Sequence, residues 1–310
     1  MRRFLISVVA MAVLLWAVDR AVGGYLARLY RDSASDDGDL LGRGFAHRPE
    51  VAVCGDSRAQ NHYVSDSLET WLGARFFNFG RGGMPTLFVY GVAEMCLQKA
   101  RPKVFILEGE LNFFAYPDNM ARLSSLLPYA DEYPVAAQLA DLRSRYEPLK
   151  RWSRIYPYNS MVASLLGARL GRPPVNRLGY VPLKGQASPK DLVIPAALDT
   201  ATGYATPDPV KREYSERMVH DLRAAGVQVV AVRSPNYLGS AHSVAYDARS
   251  GQCLAEYFGR LGVPFIDMSS RTAPVFHDAR LYVDPAHMNE RGALLFSRAL
   301  ADSLKARRIL

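Results

Sequence analysis

A serine that follows a short apolar run can do chemistry that a serine in a random coil cannot. In Val51-Ala52-Val53-Cys54-Gly55-Asp56-Ser57-Arg58, four small or apolar residues read as a buried strand, and Gly55-Asp56-Ser57 turns the chain toward a helix. Such a turn exposes the Ser57 hydroxyl on the rim of a sheet with its own N–H pointing outward. One residue then offers a nucleophile and half of an oxyanion site. The hydroxyl needs a base before it can attack an ester carbonyl. His287 is the histidine with a carboxylate three residues earlier, in the tight turn Asp284-Pro285-Ala286-His287. Asp284 can hold the imidazole Nδ1–H and stabilise the imidazolium that forms. A tetrahedral oxyanion needs preorganised donors, and the Ser57 N–H, the Gly83 N–H and the Asn112 side-chain amide would serve, each worth about 2.7–4 kcal/mol. Gly83 closes Asn78-Phe79-Gly80-Arg81-Gly82-Gly83, whose glycines let backbone N–H groups face a cavity.

Each signal also has an ordinary reading. Gly-Asp-Ser after a strand is a common way to start a helix, with Asp56 or Ser57 as its cap. Asp-x-x-His before a helix is commonly a surface turn, and Asn112 can be a turn residue. The loop 80–83 could cradle phosphate, but Pro85 stands where the last glycine of Gly-x-Gly-x-x-Gly belongs, which argues against a dinucleotide. No Gly-x-Ser-x-Gly elbow is present, which argues against the usual α/β-hydrolase arrangement. His62, one turn past Ser57, reads as a packed or surface histidine before it reads as a second base. His242 and His277 lack flanking ligands, so no metal is expected, nor any cofactor. Arg58 can bind an anionic substrate or form a salt bridge on the helix that follows; Arg81 is a second candidate for substrate.

The elements that must position these residues follow from periodicity. Strands are expected over 51–54, 74–79, 103–107, 227–232 and 263–267, and helices over 61–72, 86–99, 209–225, 241–261 and 289–305. Strands alternating with helices imply a parallel five-stranded sheet covered on both faces. Ser57, Gly83 and Asn112 each follow a strand, and Asp284 and His287 precede the last helix. In open parallel sheets the ligand crevice lies beyond the carboxyl ends of the strands, where strand order reverses, so all of them can meet there. Between the third and fourth strands, about 113–208, lie tyrosines and prolines without a strand pattern. A connection that long reads as a lid-like insertion or as a packing subdomain, with short helices over 139–149 and 159–170.

The chain carries 38 basic and 30 acidic side chains, a net charge of +8. That mild excess suits an anionic lipid surface or acidic glycan, and the absence of a dense basic run with interleaved aromatics excludes nucleic acid as the expected partner. Three widely spaced cysteines form no metal pattern; Cys54 and Cys96 read as buried free thiols. At the N-terminus Met1-Arg2-Arg3 precedes an unbroken apolar run, 4–18, ended by Asp19-Arg20. A basic head and apolar middle without a clean cleavage site read as an uncleaved signal anchor over 1–30, with the basic head in the cytoplasm and the rest outside. A buried core helix of a cytosolic protein is the bland alternative. Residues 31–47, with Ser, Asp and Gly, read as a tether, and 48–310 as the globular domain.

In the order Gly55-Asp56-Ser57, Asn78 through Gly83, the Asn112 region, then Asp284 with His287, the chain resembles the SGNH/GDSL hydrolase superfamily over nearly all of 48–306. The resemblance implies an α/β, three-layer flavodoxin-like (SGNH) fold, a Ser57–His287–Asp284 catalytic set, and an oxyanion hole from Ser57, Gly83 and Asn112. The third block departs from Gly-x-Asn-Asp: Gly109-Glu110-Leu111-Asn112-Phe113 has its asparagine late and no aspartate, and Glu110 is an alternative group for the site. The anchor, the Gly-Asp-Ser-Arg form, and the stretches 179–185 and 287–293 are similar to membrane-anchored envelope members, of the kind that transfer D-alanine in teichoic acid synthesis or acetylate exported polysaccharides. The expectation is a membrane-anchored extracytoplasmic serine esterase or O-acyltransferase acting on acyl, above all acetyl, esters of envelope or exported polysaccharide. The membrane and a membrane acyl-donor protein are its expected partners. The alternative is a non-catalytic, membrane-tethered glycan-binding component that keeps the fold; a lipase or thioesterase is a further reading.

Overall fold

The structure is a computed structural model and describes residues 1–33, 38–109, 119–169, 178–188, 190, 192 and 208–310. It divides into two compact units: 1–42 with 123–174, and 43–122 with 175–310. Asn112 and Glu110 lie outside the described residues.

The second unit is built on one sheet of five strands: β1 (Val51–Cys54), β2 (Phe76–Asn78), β3 (Val104–Glu108), β4 (Gln228–Arg233) and β5 (Phe265–Asp267). All neighbours are parallel, in the order β2-β1-β3-β4-β5. This is the flavodoxin-like order, and strand order reverses at the β1/β3 junction. Every residue of β1, β2 and β3 is buried, as expected where helices cover both faces. Register sets Cys54 beside Leu107, and Glu108 beside Val232, so the chain leaves β1, β3 and β4 at one level of the sheet.

The helices carry their own start and stop signals. Asp208 caps Pro209–Ala224 by accepting from Val210 N and Lys211 N, and Ser240 with Ser243 forms a capping box on Ala241–Arg260. Asn289 caps Glu290–Ala306 through Gly292 N. One expected helix is different. Instead of a single helix over 61–72, the chain forms Ser57–His62 and Ser65–Leu72, with Tyr63 and Val64 extended between them. Tertiary partners account for the break. Val64 N–H donates to Ser297 Oγ at 2.9 Å, Ser297 Oγ donates to the His62 carbonyl, and the Tyr63 hydroxyl reaches Glu108. β2 is also shorter than expected: Asn78, paired with Val53, is its last residue, and its side chain holds the loop that follows.

In the first unit, the helix Arg2–Asp32 is exposed throughout residues 1–18 and then packs through Gly23, Leu26 and Tyr30. Gly23 is required there: a Cβ would lie 2.4 Å from the Arg154 carbonyl carbon. The Tyr30 and Tyr129 hydroxyls are 2.8 Å apart, and Tyr129 donates to Asp39 Oδ1 at 2.6 Å. Within the insertion the described chain forms Pro134–Asp141, Glu147–Lys150 and Val162–Arg169. The stretch read as a tether is helical over Leu40–His47, with Leu40, Leu41 and Phe45 buried. Its apolar residues at helical spacing outweigh the polar composition of 32–39.

Candidate active site

Ser57 is the first residue of its helix, and the cap is Asp56, whose side chain accepts from Arg58 N at 3.0 Å. The capping duty therefore falls on the neighbour, and the Ser57 hydroxyl is turned to His287: Oγ and Nε2 are 2.7 Å apart. His287 Nδ1 lies 2.8 and 2.9 Å from the Asp284 carboxylate oxygens. Because a carboxylate only accepts, Nδ1 carries the proton and Nε2 is left to accept from the serine. Asp284 Oδ1 also accepts from the backbone N–H groups of Ala286 and His287 at 2.8 and 2.9 Å. Burial alone would raise the Asp284 carboxyl. The bond and charge of the His287 ring and the two backbone donors outweigh it and hold the group below its ordinary value.

The glycine loop is pinned beside the serine by backbone and side-chain bonds. Phe79 N–H donates to the Val53 carbonyl at 2.7 Å and Arg81 N–H to the Gly55 carbonyl at 3.2 Å. Asn78 bridges it to the serine helix, donating to the Ala59 carbonyl and accepting from Gly80 N. Gly82 N–H donates to Gln60 Oε1 at 3.0 Å, and a Cβ on Gly82 would lie 3.6 Å from that of Ser57. Gly83 has φ +67°, a conformation natural to glycine. Among the described residues, no hydrogen bond occupies the Ser57 and Gly83 N–H groups. Arg122, unforeseen in the sequence, donates to the Gly82 carbonyl at 2.6 Å and sets an exposed cation on this loop. Arg81 is half-buried in it.

Arg58 departs from the expectation of a substrate contact. Its side chain is buried, donating to Ser234 Oγ and to the Ser234 carbonyl, with Nε 3.4 Å from Glu108 Oε1. The physical reason is the carboxylate buried at the end of β3, which needs a nearby cation. Ser234 N–H and Oγ both donate to Glu108 Oε1, at 3.1 and 2.7 Å, and the Tyr63 hydroxyl donates to Oε2. Burial raises the Glu108 carboxyl, opposed by Arg58, Tyr63 and Ser234. His62 joins the same network, as a packed residue and not a base at the serine. Met288 N–H donates to its Nε2 at 3.0 Å, so Nδ1 carries the proton and donates to Ser234 Oγ at 2.8 Å. Burial, with the charges of Arg58 and His287 adding to it, pushes its pKa well below the ordinary histidine value. The chain of bonds thus runs from Glu108 through Ser234 and His62 to the residue after His287. Sequence reasoning passed over Gln60, Glu108 and Ser234. A charge directly after the apolar run 104–107, and a polar pair, Arg233-Ser234, after another, were the available signals.

The fold and this site together define a parallel α/β protein with a hydrogen-bonded serine, histidine and aspartate at the sheet's topological switch. No protein-family model matches the chain, and no curated protein matches it. Among solved structures, the lipase/acylhydrolase from Enterococcus faecalis is similar at a TM-score of 0.39 and 12% identity, over 83% of this chain and 96% of that one.

Proposed function

We propose that this protein is a membrane-anchored, extracytoplasmic serine esterase or O-acyltransferase of the SGNH type, acting on acyl esters, above all acetyl esters, of envelope or exported polysaccharide. The observation that carries the chemical step is the 2.7 Å approach of Ser57 Oγ to His287 Nε2, with Asp284 on the other ring nitrogen. Ser57 Oγ attacks the ester carbonyl as His287 Nε2 takes its proton, and Asp284 holds the resulting imidazolium. The oxyanion is received by the Ser57 and Gly83 N–H groups, with Asn112 as the third donor. Collapse breaks the bond to the leaving alcohol, which takes the proton from His287 and leaves an acyl-serine. Water or a sugar hydroxyl, deprotonated by the same imidazole, then releases the acyl group.

An acidic glycan as acceptor suits the mild positive charge of the chain, to which Arg122 on the glycine loop contributes. The long apolar helix at the N-terminus supports the anchor. The test is turnover of an activated acetyl ester by the full chain in detergent. Ser57→Ala should abolish it and should abolish covalent labelling by a serine-directed phosphonate; turnover that survives in the variant rejects the nucleophile.

A further inference from the structure

The apolar stretch of the helix Arg2–Asp32 stops at Asp19-Arg20, and a second segment of the chain is fastened at that point. Asp19 accepts from Ser153 Oγ, from Arg154 N at 2.8 Å and from Ile155 N at 3.4 Å, while Arg20 Nη1 donates to the Trp152 carbonyl at 2.9 Å. All four of these bonds fall at the charged pair that ends the apolar run. The 15 residues of 4–18 rise about 22 Å along the helix axis, so the first charged pair after them marks the edge of the hydrocarbon such a run can cross.

The segment fastened there leaves large apolar side chains uncovered. Leu142, Tyr146, Leu149 and Trp152 are 50%, 52%, 62% and 76% exposed, and they recur at i, i+4, i+7 and i+10. A soluble surface seldom shows such a series. Among them stand five cationic side chains, Arg143, Arg145, Lys150, Arg151 and Arg154; Glu147 pairs with Arg143 and Lys150, Asp141 with Arg151 and Asp131 with Arg154, so cations still outnumber carboxylates five to three. Arg20, Arg151 and Arg154 also line a cavity of about 210 Å³ beside Gly23 and Gly24. Aromatic and leucine side chains mixed with an excess of cations is the composition that settles in the headgroup region of a bilayer.

We propose that residues 142–152 form an interfacial docking element, seating Leu142, Tyr146, Leu149 and Trp152 in the headgroup layer of the bilayer that the N-terminal helix crosses, with Arg145, Lys150 and Arg151 against anionic phospholipid headgroups. The proposal rests on the anchor reading. The occupant follows from continuity with the end of the apolar run and from charge complementarity. The element fixes this unit against the membrane at two places, the helix and the docking face, where a tether would fix it at one.

The three tryptophans of the chain, Trp16, Trp71 and Trp152, allow a direct test with the full protein in liposomes of brominated phosphatidylcholine and phosphatidylglycerol. Trp71→Phe with Trp152→Phe leaves Trp16 to report on the anchor; Trp16→Phe with Trp71→Phe leaves Trp152. Both reporters should be quenched, Trp152 about twofold and best by bromines near the headgroup. Trp16 quenched with Trp152 emitting as in water overturns the docking element and spares the anchor. Quenching of neither overturns both. Quenching of Trp152 alone sustains docking and overturns the span. Removing phosphatidylglycerol, or adding Arg145→Glu with Lys150→Glu, should weaken Trp152 quenching; no change overturns the role of the anionic headgroups.

Discussion

Ser57 is available for chemistry because Asp56 is not a bystander: one carboxylate caps the helix, and the hydroxyl next to it is spared for His287. The same division of labour operates at the other end of the relay, where Asp284 accepts two backbone N–H groups and the ring of His287. An amide at that position could present its NH2 to Nδ1 and reverse the tautomer, leaving Nε2 protonated against the serine. Asp284→Asn should therefore lower kcat for an activated acetyl ester by about 10⁴ with KM little changed, measured by steady-state kinetics. His62 predicts a pH effect. Folded, it stays neutral, because burial chiefly, and the charges of Arg58 and His287 besides, depress its pKa; unfolded, it takes up a proton near 6.5. Below that value the unfolded chain binds one more proton than the folded one, so this residue's contribution to stability falls as pH drops, at about 1.4 kcal/mol per pH unit. Denaturant unfolding at pH 7, 6 and 5 should show a shallower loss for His62→Gln than for the native chain.

At the scale of elements, the buried pair of Arg58 and Glu108 joins the serine helix to the end of β3, and Ser234 brings in the end of β4. Three segments distant in sequence are thereby set at one level around the switch point. Removing one partner leaves the other charge buried without compensation. Arg58→Met should cost about 3–5 kcal/mol, and adding Glu108→Gln should restore part of that loss, as read by denaturant unfolding of the single and double variants. If Arg58 met only substrate, the same variant would change KM and leave stability alone. The extended pair Tyr63–Val64 belongs to this scale too: it interrupts a helix so that Tyr63 can reach the same carboxylate.

For the whole molecule, the proposed anchor makes a prediction of its own. An apolar helix exposed over its first 18 residues holds the chain through hydrocarbon burial, which salt does not weaken. Full-length protein in isolated membranes should stay in the pellet through molar salt and alkaline carbonate and be released by detergent. Release by salt alone would mean that charge, not a spanning helix, holds it. The insertion is largely helical over 119–169 and lies mostly in the unit of that helix; its aromatic residues include a packed set, Tyr129, Tyr133 and Tyr158, and an exposed pair, Tyr146 and Trp152.

Much of this was legible in the residues alone. Alternating apolar runs and helical periods set out five strands and the main helices, since burial on both faces of a parallel sheet leaves an unmistakable composition at 51–54 and 104–107. The candidate triad was legible because the order of local motifs is a property of the chain. Three things were not. Whether Asp56 or Ser57 caps the helix depends on where His287 stands, 230 residues away. Where the Arg58 guanidinium goes depends on Glu108 and Ser234, which only folding brings beside it. The role of His62 depends on a backbone N–H of Met288. Local pattern fixes what each segment wants to be, whereas a side chain's partner is decided by contacts across the chain, and the energy of a buried charge or an unpaired donor is large enough to overrule any local preference.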